Sequence, residues 1–125
     1  MDRQSPHLPQ SAAIDAYGRG GFRFAGMSHR GSLLCLPDGI WPSPVAAPQD
    51  IDARALALVL EADPRIDHCL IGTGHDPWLV PRDLAARFAE RGIAVETMTT
   101  GAAVRTYNIL VAERRRVAAL LIAVE

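Results

Sequence analysis

An α/β fold is what this sequence predicts, and three observations predict it. From Asp67 onward, short apolar runs alternate with segments of helical periodicity. Before that, glycines and prolines divide the chain into short β-like pieces. The run Val117–Val124 is apolar on both faces, as the central strand of a covered sheet requires. A chain of 125 residues fits one domain with a real core, and its 49% hydrophobic and 22% charged residues place it among globular proteins.

In order along the chain, residues 1–11 read as a flexible tail and residues 12–125 as one domain, because Pro6 and Pro9 sit in a polar opening stretch. Ile14–Tyr17 and Gly21–Phe24 are strand candidates, with Gly18, Gly20 and Gly21 marking a tight turn between them. Ser32–Leu36 is the next strand, and Pro37-Asp38-Gly39 turns the chain into Ile40 and Trp41. This opening section reads as a β-meander. Pro42, Pro44 and Pro48 break any ladder and suggest an extended loop. A helix follows, capped by Asp50 or Asp52, with Ile51, Ala55, Leu56, Val59 and Leu60 on one face and Pro64 at its end.

His68–Ile71 reads as a short strand. Pro81 suits the first turn of a second helix, in which Leu84 and Phe88 share a face and Gly92 supplies the stop. Ile93–Glu96 is another strand. A third helix spans about 101–113, capped by Thr99 or Thr100, with Ala103, Tyr107, Leu110 and Val111 facing the core. The second half is therefore β-α-β-α-β, and right-handed crossovers would gather its strands into one largely parallel sheet.

Composition excludes several classes of function. A net charge of −1 argues against a general nucleic-acid or acidic-membrane surface. All thirteen basic residues are arginine, so lysine Schiff bases and lysine phosphate clamps are excluded. Cys35 and Cys69 are too few for a disulfide scaffold and read as reduced, buried thiols of a cytoplasmic protein. The opening residues lack the apolar core of a signal peptide, and Val117–Val124 is too short to span a bilayer.

The feature with most chemical content is a pair of loops, Gly72-Thr73-Gly74 and Thr99-Thr100-Gly101, expected at the carboxyl ends of neighbouring parallel strands, where open α/β sheets bind ligands. The second opens a helix, whose free N–H groups and dipole attract anions. Gly101 would let a ligand approach the backbone at Ala102, and Arg105 lies one turn further on, leaning back toward the same spot. Gly72, Thr73, Gly74, Thr100, Gly101, Ala102 and Arg105 are thus the candidate ligand-binding residues, for a small phosphate or carboxylate. The structural alternative has Thr99 or Thr100 as an ordinary cap, Arg105 paired with Glu96 or Asp76, and Tyr107 and Asn108 fixing the helix.

Other constellations carry less. A P-loop needs lysine, and Pro77 stands where a dinucleotide fingerprint needs its third glycine. His68, Cys69 and His75 are close in sequence, but adjacent strand residues face opposite ways and do not readily share a metal. Ser32, His75 and Asp76 lack a Gly-x-Ser-x-Gly elbow. Arg114-Arg115-Arg116 complements a helix dipole more simply than it binds nucleic acid. Trp41 and Trp78 read as buried anchors in Pro-containing loops. No catalytic residue, cofactor or metal is assigned.

The order of Ile14-Asp15-Ala16-Tyr17-Gly18, Gly21-Phe22-Arg23-Phe24, Gly31-Ser32-Leu33-Leu34, Leu70-Ile71-Gly72-Thr73-Gly74 and Thr100–Asn108 resembles the small Mth-type domain family, over about Ala12 to the end. That family includes a mitochondrial complex I assembly factor and an adipogenesis-associated protein. The resemblance implies a three-layer α/β domain with a mixed central sheet and no established enzymatic activity. It further implies an interaction or assembly domain with protein partners, in the manner of respiratory-complex or membrane-protein biogenesis. The alternative is a small-molecule anion-binding protein or enzyme using the two glycine loops. Val104 stands where many relatives carry cysteine, and valine can neither attack nor ligate.

Overall fold

The computed structural model describes residues 6–125. Two sheets form. Strands β1 (Ala16–Gly18), β2 (Gly21–Phe24) and β3 (Met27–Arg30) make a three-stranded antiparallel meander. Its two-residue turns place Arg19 and Gly20 at φ 53° and 78°, and Ala25 and Gly26 at 51° and 75°. Positive φ at both central residues is the turn geometry that matches strand twist in hairpins. Met27–Arg30 was not among the expected strands. Its alternation of half-buried and exposed positions carries too little apolar signal to stand out.

The second sheet contains β4 (Ser32–Leu36), β5 (Gly39–Ser43), β6 (His68–Gly72), β7 (Ala94–Met98) and β8 (Val117–Leu121), in the order β5-β4-β8-β6-β7. β8 runs antiparallel to β4 and parallel to β6, and β6 runs parallel to β7, so the sheet is mixed. β8 is central, as its two apolar faces require; every residue of it is buried. Pro42 does not break the ladder. It pairs with Leu33 on β5, an edge strand, where a missing N–H leaves no central bond unmade.

Alternation along these strands sorts the core into two halves. Leu34, Leu36, Ile71, Ala118 and Leu120 face α1 (Ala57–Leu60) and α2 (Arg82–Arg91), packing with Leu56, Val59, Leu84 and Phe88. Leu33, Cys35, Leu70, Ala119 and Leu121 face α3 (Thr100–Ala112) and the small sheet, packing with Phe22, Phe24, Ala103 and Tyr107. Helices, central sheet, then α3 with the meander give three layers. Each fully buried leucine in them contributes roughly 1.5–3 kcal/mol.

Several sequence expectations are sharpened. The helix expected after Asp52 shrinks to the single turn α1, with a 3-10 turn at Pro48–Asp50 before it. Amides around α1 bond at both i−3 and i−4 spacing (Ala57 N to Arg54 O, Leu60 N to Leu56 O), so the regular α ladder does not extend. Asp52 does not cap α1, whose N-cap is Leu56; it accepts from Ala55 N at 2.9 Å in the turn before it. Pro81 precedes α2, and Gly92 ends it in the left-handed conformation. Of the expected tail, residues 1–5 lie outside the described residues. His7 and Leu8 are paired: both amides donate to Ile40 O, and Ile40 N donates to Leu8 O at 2.9 Å.

Candidate functional site

The two glycine loops do converge. β6 and β7 are parallel neighbours, and both loops leave the carboxyl ends of those strands. Their junction is filled by the protein itself. Thr100 is fully buried; its hydroxyl donates to Ile122 O at 2.7 Å and accepts from Gly74 N at 2.9 Å. Thr100 N donates in turn to Gly74 O at 3.0 Å, and Ile122 N to Gly72 O at 3.0 Å. Thr73 is equally committed: its amide donates to Met98 O at 2.8 Å, and its hydroxyl lies 2.6 Å from the carbonyl oxygen of Asp76.

The amides of Thr73, Gly74, Thr100 and Ala102, expected to be open to an anion, are therefore bonded within the chain. Thr99 is the cap of α3, its hydroxyl accepting from Ala102 N at 3.3 Å, and its carbonyl accepts from Ala103 N. Gly101 does permit a close approach, but Tyr17 makes it. A Cβ on Gly101 would lie 3.0 Å from Tyr17 Cζ and closer still to the hydroxyl. Gly72 serves packing as well: a Cβ there would lie 3.0 Å from Thr100 Cα and 3.1 Å from Ala103 Cβ, so glycine seats α3 against β6.

Arg105 is exposed and makes no hydrogen bond or ion pair among the described residues. Glu96, one expected partner, is held instead by His68 Nε2 at 2.9 Å. The arrangement is a clasp tying β6, β7, α3 and the chain beyond β8, with one free guanidinium beside it.

The remaining chemistry-bearing side chains are also engaged. Ser32 is buried and its hydroxyl accepts from Ala123 N at 3.0 Å. Cys35 and Cys69 are buried and free, and burial pushes each thiol up to about 12. Burial also raises Tyr107, which neighbours Cys35 and donates to Ala12 O at 3.3 Å. Of the three consecutive arginines, Arg116 donates to the carbonyls of Pro64 (2.7 Å) and Arg65 (3.1 Å), a use the sequence did not suggest. Among the described residues, no cluster of His, Cys, Asp and Glu has the size a metal site needs.

A cavity that the sequence did not suggest lies elsewhere. It measures about 900 Å³ between the Trp41–Val45 stretch and α1, with Leu34, Trp41 and Leu58 in its lining and Asp50, Asp52 and Glu61 at its edge. A recurrence of carboxylates around an apolar run, from Asp50 to Asp63, was the available signal. From sequence, Asp50 and Asp52 read as helix caps.

Residues 14–122 match the family described as protein of unknown function DUF498/DUF598. The chain belongs to that family. A crystal structure of an outer membrane protein from Bartonella henselae is similar over 95% of this chain and 100% of that one, with TM-score 0.90 and 50% identity. A solution structure of a Mth938-like domain from Bordetella pertussis is similar over 98% of this chain and 92% of that one, with TM-score 0.75 and 28% identity. These likenesses bear out the Mth-type α/β domain. NADH dehydrogenase [ubiquinone] 1 alpha subcomplex assembly factor 3 of Mus musculus is 33% identical over 115 residues, which is 92% of this chain and 62% of the mouse protein. The chain thus spans less than two thirds of that relative. Among the described residues, no helix is long and apolar enough to cross a membrane.

Proposed function

We propose that this chain is a non-catalytic assembly-type protein that works by contact with other proteins, and that its partners belong to the biogenesis of a membrane respiratory complex. The observation that carries this reading is the kinship of 92% of the chain with a complex I assembly factor. The internal engagement of the groups that chemistry would need supports it: Ser32 and Thr100 hold backbone groups, and both thiols are buried. Two reduced thiols that do not pair with each other support a cytoplasmic setting.

The alternative, binding of a small anion at Gly72-Thr73-Gly74 and Thr100-Gly101, rests on Arg105 and the Gly101 amide once the amides of Thr73, Gly74, Thr100 and Ala102 are bonded. The assembly reading is therefore favoured. Crosslinking in the native cell followed by affinity capture of the tagged chain tests it. Enrichment of respiratory-complex or membrane-protein biogenesis components is expected. Repeated capture that enriches no partner overturns it.

A further inference from the structure

We propose that the groove between the Trp41–Val45 stretch and α1 docks an amphipathic helix bearing arginine or lysine, contributed by a protein partner. This deepens the assembly reading and rests on it, because it names the chemistry of the partner's contact segment.

Shape and lining come first. The cavity of about 900 Å³ has a neighbour of about 220 Å³, and Trp41, Leu58 and Glu61 line both. The larger cavity lies against α1. Its lining includes Leu34, Trp41 and Leu58, and Pro42 and Pro44 form a wall. An apolar trough of this kind accepts one face of a helix, with side chains at every third or fourth position inserted.

Charge decides which helix. Asp50, Asp52 and Glu61 border the larger cavity, and Asp38 and Asp63 border the smaller. The basic residues in the two linings are Arg54 and Arg116, and Arg91 reaches the carbonyls of Leu60 and Ala62 on either side of Glu61. The guanidinium of Arg116 is occupied by the carbonyls of Pro64 and Arg65. Among the described residues, none of these carboxylates forms an ion pair; the pairs present are Arg65–Asp67, His68–Glu96 and Arg115–Glu113. Asp50 and Asp52 are also fixed in place, accepting from Ala47 N at 3.2 Å and Ala55 N at 2.9 Å. The border is acidic on a chain whose total charge is only −1, so the excess is local. Such a border attracts a cationic segment and repels an acidic one.

Backbone chemistry excludes the main competitor, an added β-strand. The exposed edge of the large sheet on this side is β5. Ile40 there already gives both its amide and its carbonyl to the segment His7–Leu8. Pro42 and Pro44 have no N–H to offer. Recognition must come from side chains, which a helix supplies.

The test titrates isotopically labelled full-length chain with a peptide of roughly 18 residues, about five helical turns, with a leucine face and an arginine-rich polar face. A control peptide replaces each arginine with glutamate. The expected result is saturable shifts of the amides of Trp41, Leu58 and Glu61 by the basic peptide and none by the acidic one. The double variant Asp38→Arg/Glu61→Arg, at two exposed positions, should weaken the basic peptide by about tenfold or more with an unchanged melting curve. Leu58→Asp provides a second, apolar-side variant. Equal binding of both peptides, or shifts centred elsewhere, overturns the proposal. So does a dimer by sedimentation that the charge reversal dissociates, which would make the occupant a second copy. Partner capture separates the two readings: a charge-reversed chain that still captures its cellular partner overturns the groove and leaves the assembly role. Basic-peptide binding without any captured partner supports the groove and overturns that role.

Discussion

The side-chain amide of Asn108 grips the backbone of Ile14 at both ends: Nδ2 donates to Ile14 O at 2.9 Å, and Oδ1 accepts from Ile14 N at 2.8 Å. One residue of α3 thereby fixes the strand entry of the small sheet. Ile14 is buried, so neither backbone group has ready access to water once Asn108 is gone. Asn108→Ala should lower stability by about 1–3 kcal/mol, the cost of a buried group left unpaired. Urea denaturation checks it; an unchanged midpoint would mean the pairing contributes nothing.

Thr100 invites a sharper comparison. Thr100→Val keeps the shape and removes the hydroxyl that joins Gly74 N to Ile122 O, both in a buried setting. A loss of about 1–3 kcal/mol is expected. Thr100→Ser keeps the hydroxyl and should lose less. The same denaturation measurement ranks the two, and a serine variant as weak as the valine one would contradict the clasp.

Tyr17 and Gly101 are coupled by contact. In the native chain, Gly101→Ala drives a methyl group into the Tyr17 ring, which must swing away. With Tyr17→Ala already in place, the same change should instead stabilise by about 0.5–1 kcal/mol, because alanine is the better helix former. A double-mutant cycle reads this change of sign.

Both thiols give a pH prediction. Their ordinary value is 9.0 and burial raises each to about 12. Above pH 9 the thiols ionise in the unfolded chain but not in the folded one, so their contribution to stability is constant below that value and falls as pH rises from 9 toward 12. Cys35→Ala/Cys69→Ala should flatten that alkaline loss. At neutral pH, thiol reagents should label the native chain only as fast as it opens.

Arg105 tests the anion reading. Because the amides of Gly74, Thr100 and Ala102 are bonded, phosphate and sulfate should raise the melting temperature of the native chain no more than that of Arg105→Ala. A stabilisation lost in the variant would restore a ligand role to α3's first turns.

Much of this fold was legible because burial writes itself into pattern. β8 is apolar at every position, α2 carries Pro81 before it and Gly92 after it, and the glycine loops sit at strand ends as parallel sheets demand. The convergence of Gly74 and Thr100 was legible for the same reason. What fills the junction was not. A threonine before a helix reads identically whether its hydroxyl faces solvent or Ile122 O, and only tertiary contacts distinguish the two. β3 escaped because Met27–Arg30 pairs through backbone bonds and carries little apolar signal. Asn108 was anticipated as a hydrogen-bonding residue, but its partner lies 94 residues away, beyond any local pattern.

The position of β8 governs how the chain can be made. Residues 117–121 insert between β4 and β6 and, among the described residues, are the one strand joining them. Without that stretch, the facing edges of β4 and β6 would be left with unmatched amides and carbonyls. Nascent chains in that state are open to pairing with neighbours on the same messenger. Completion of the sheet, and with it both halves of the core, is a late step in which the final strand closes two sticky edges at once.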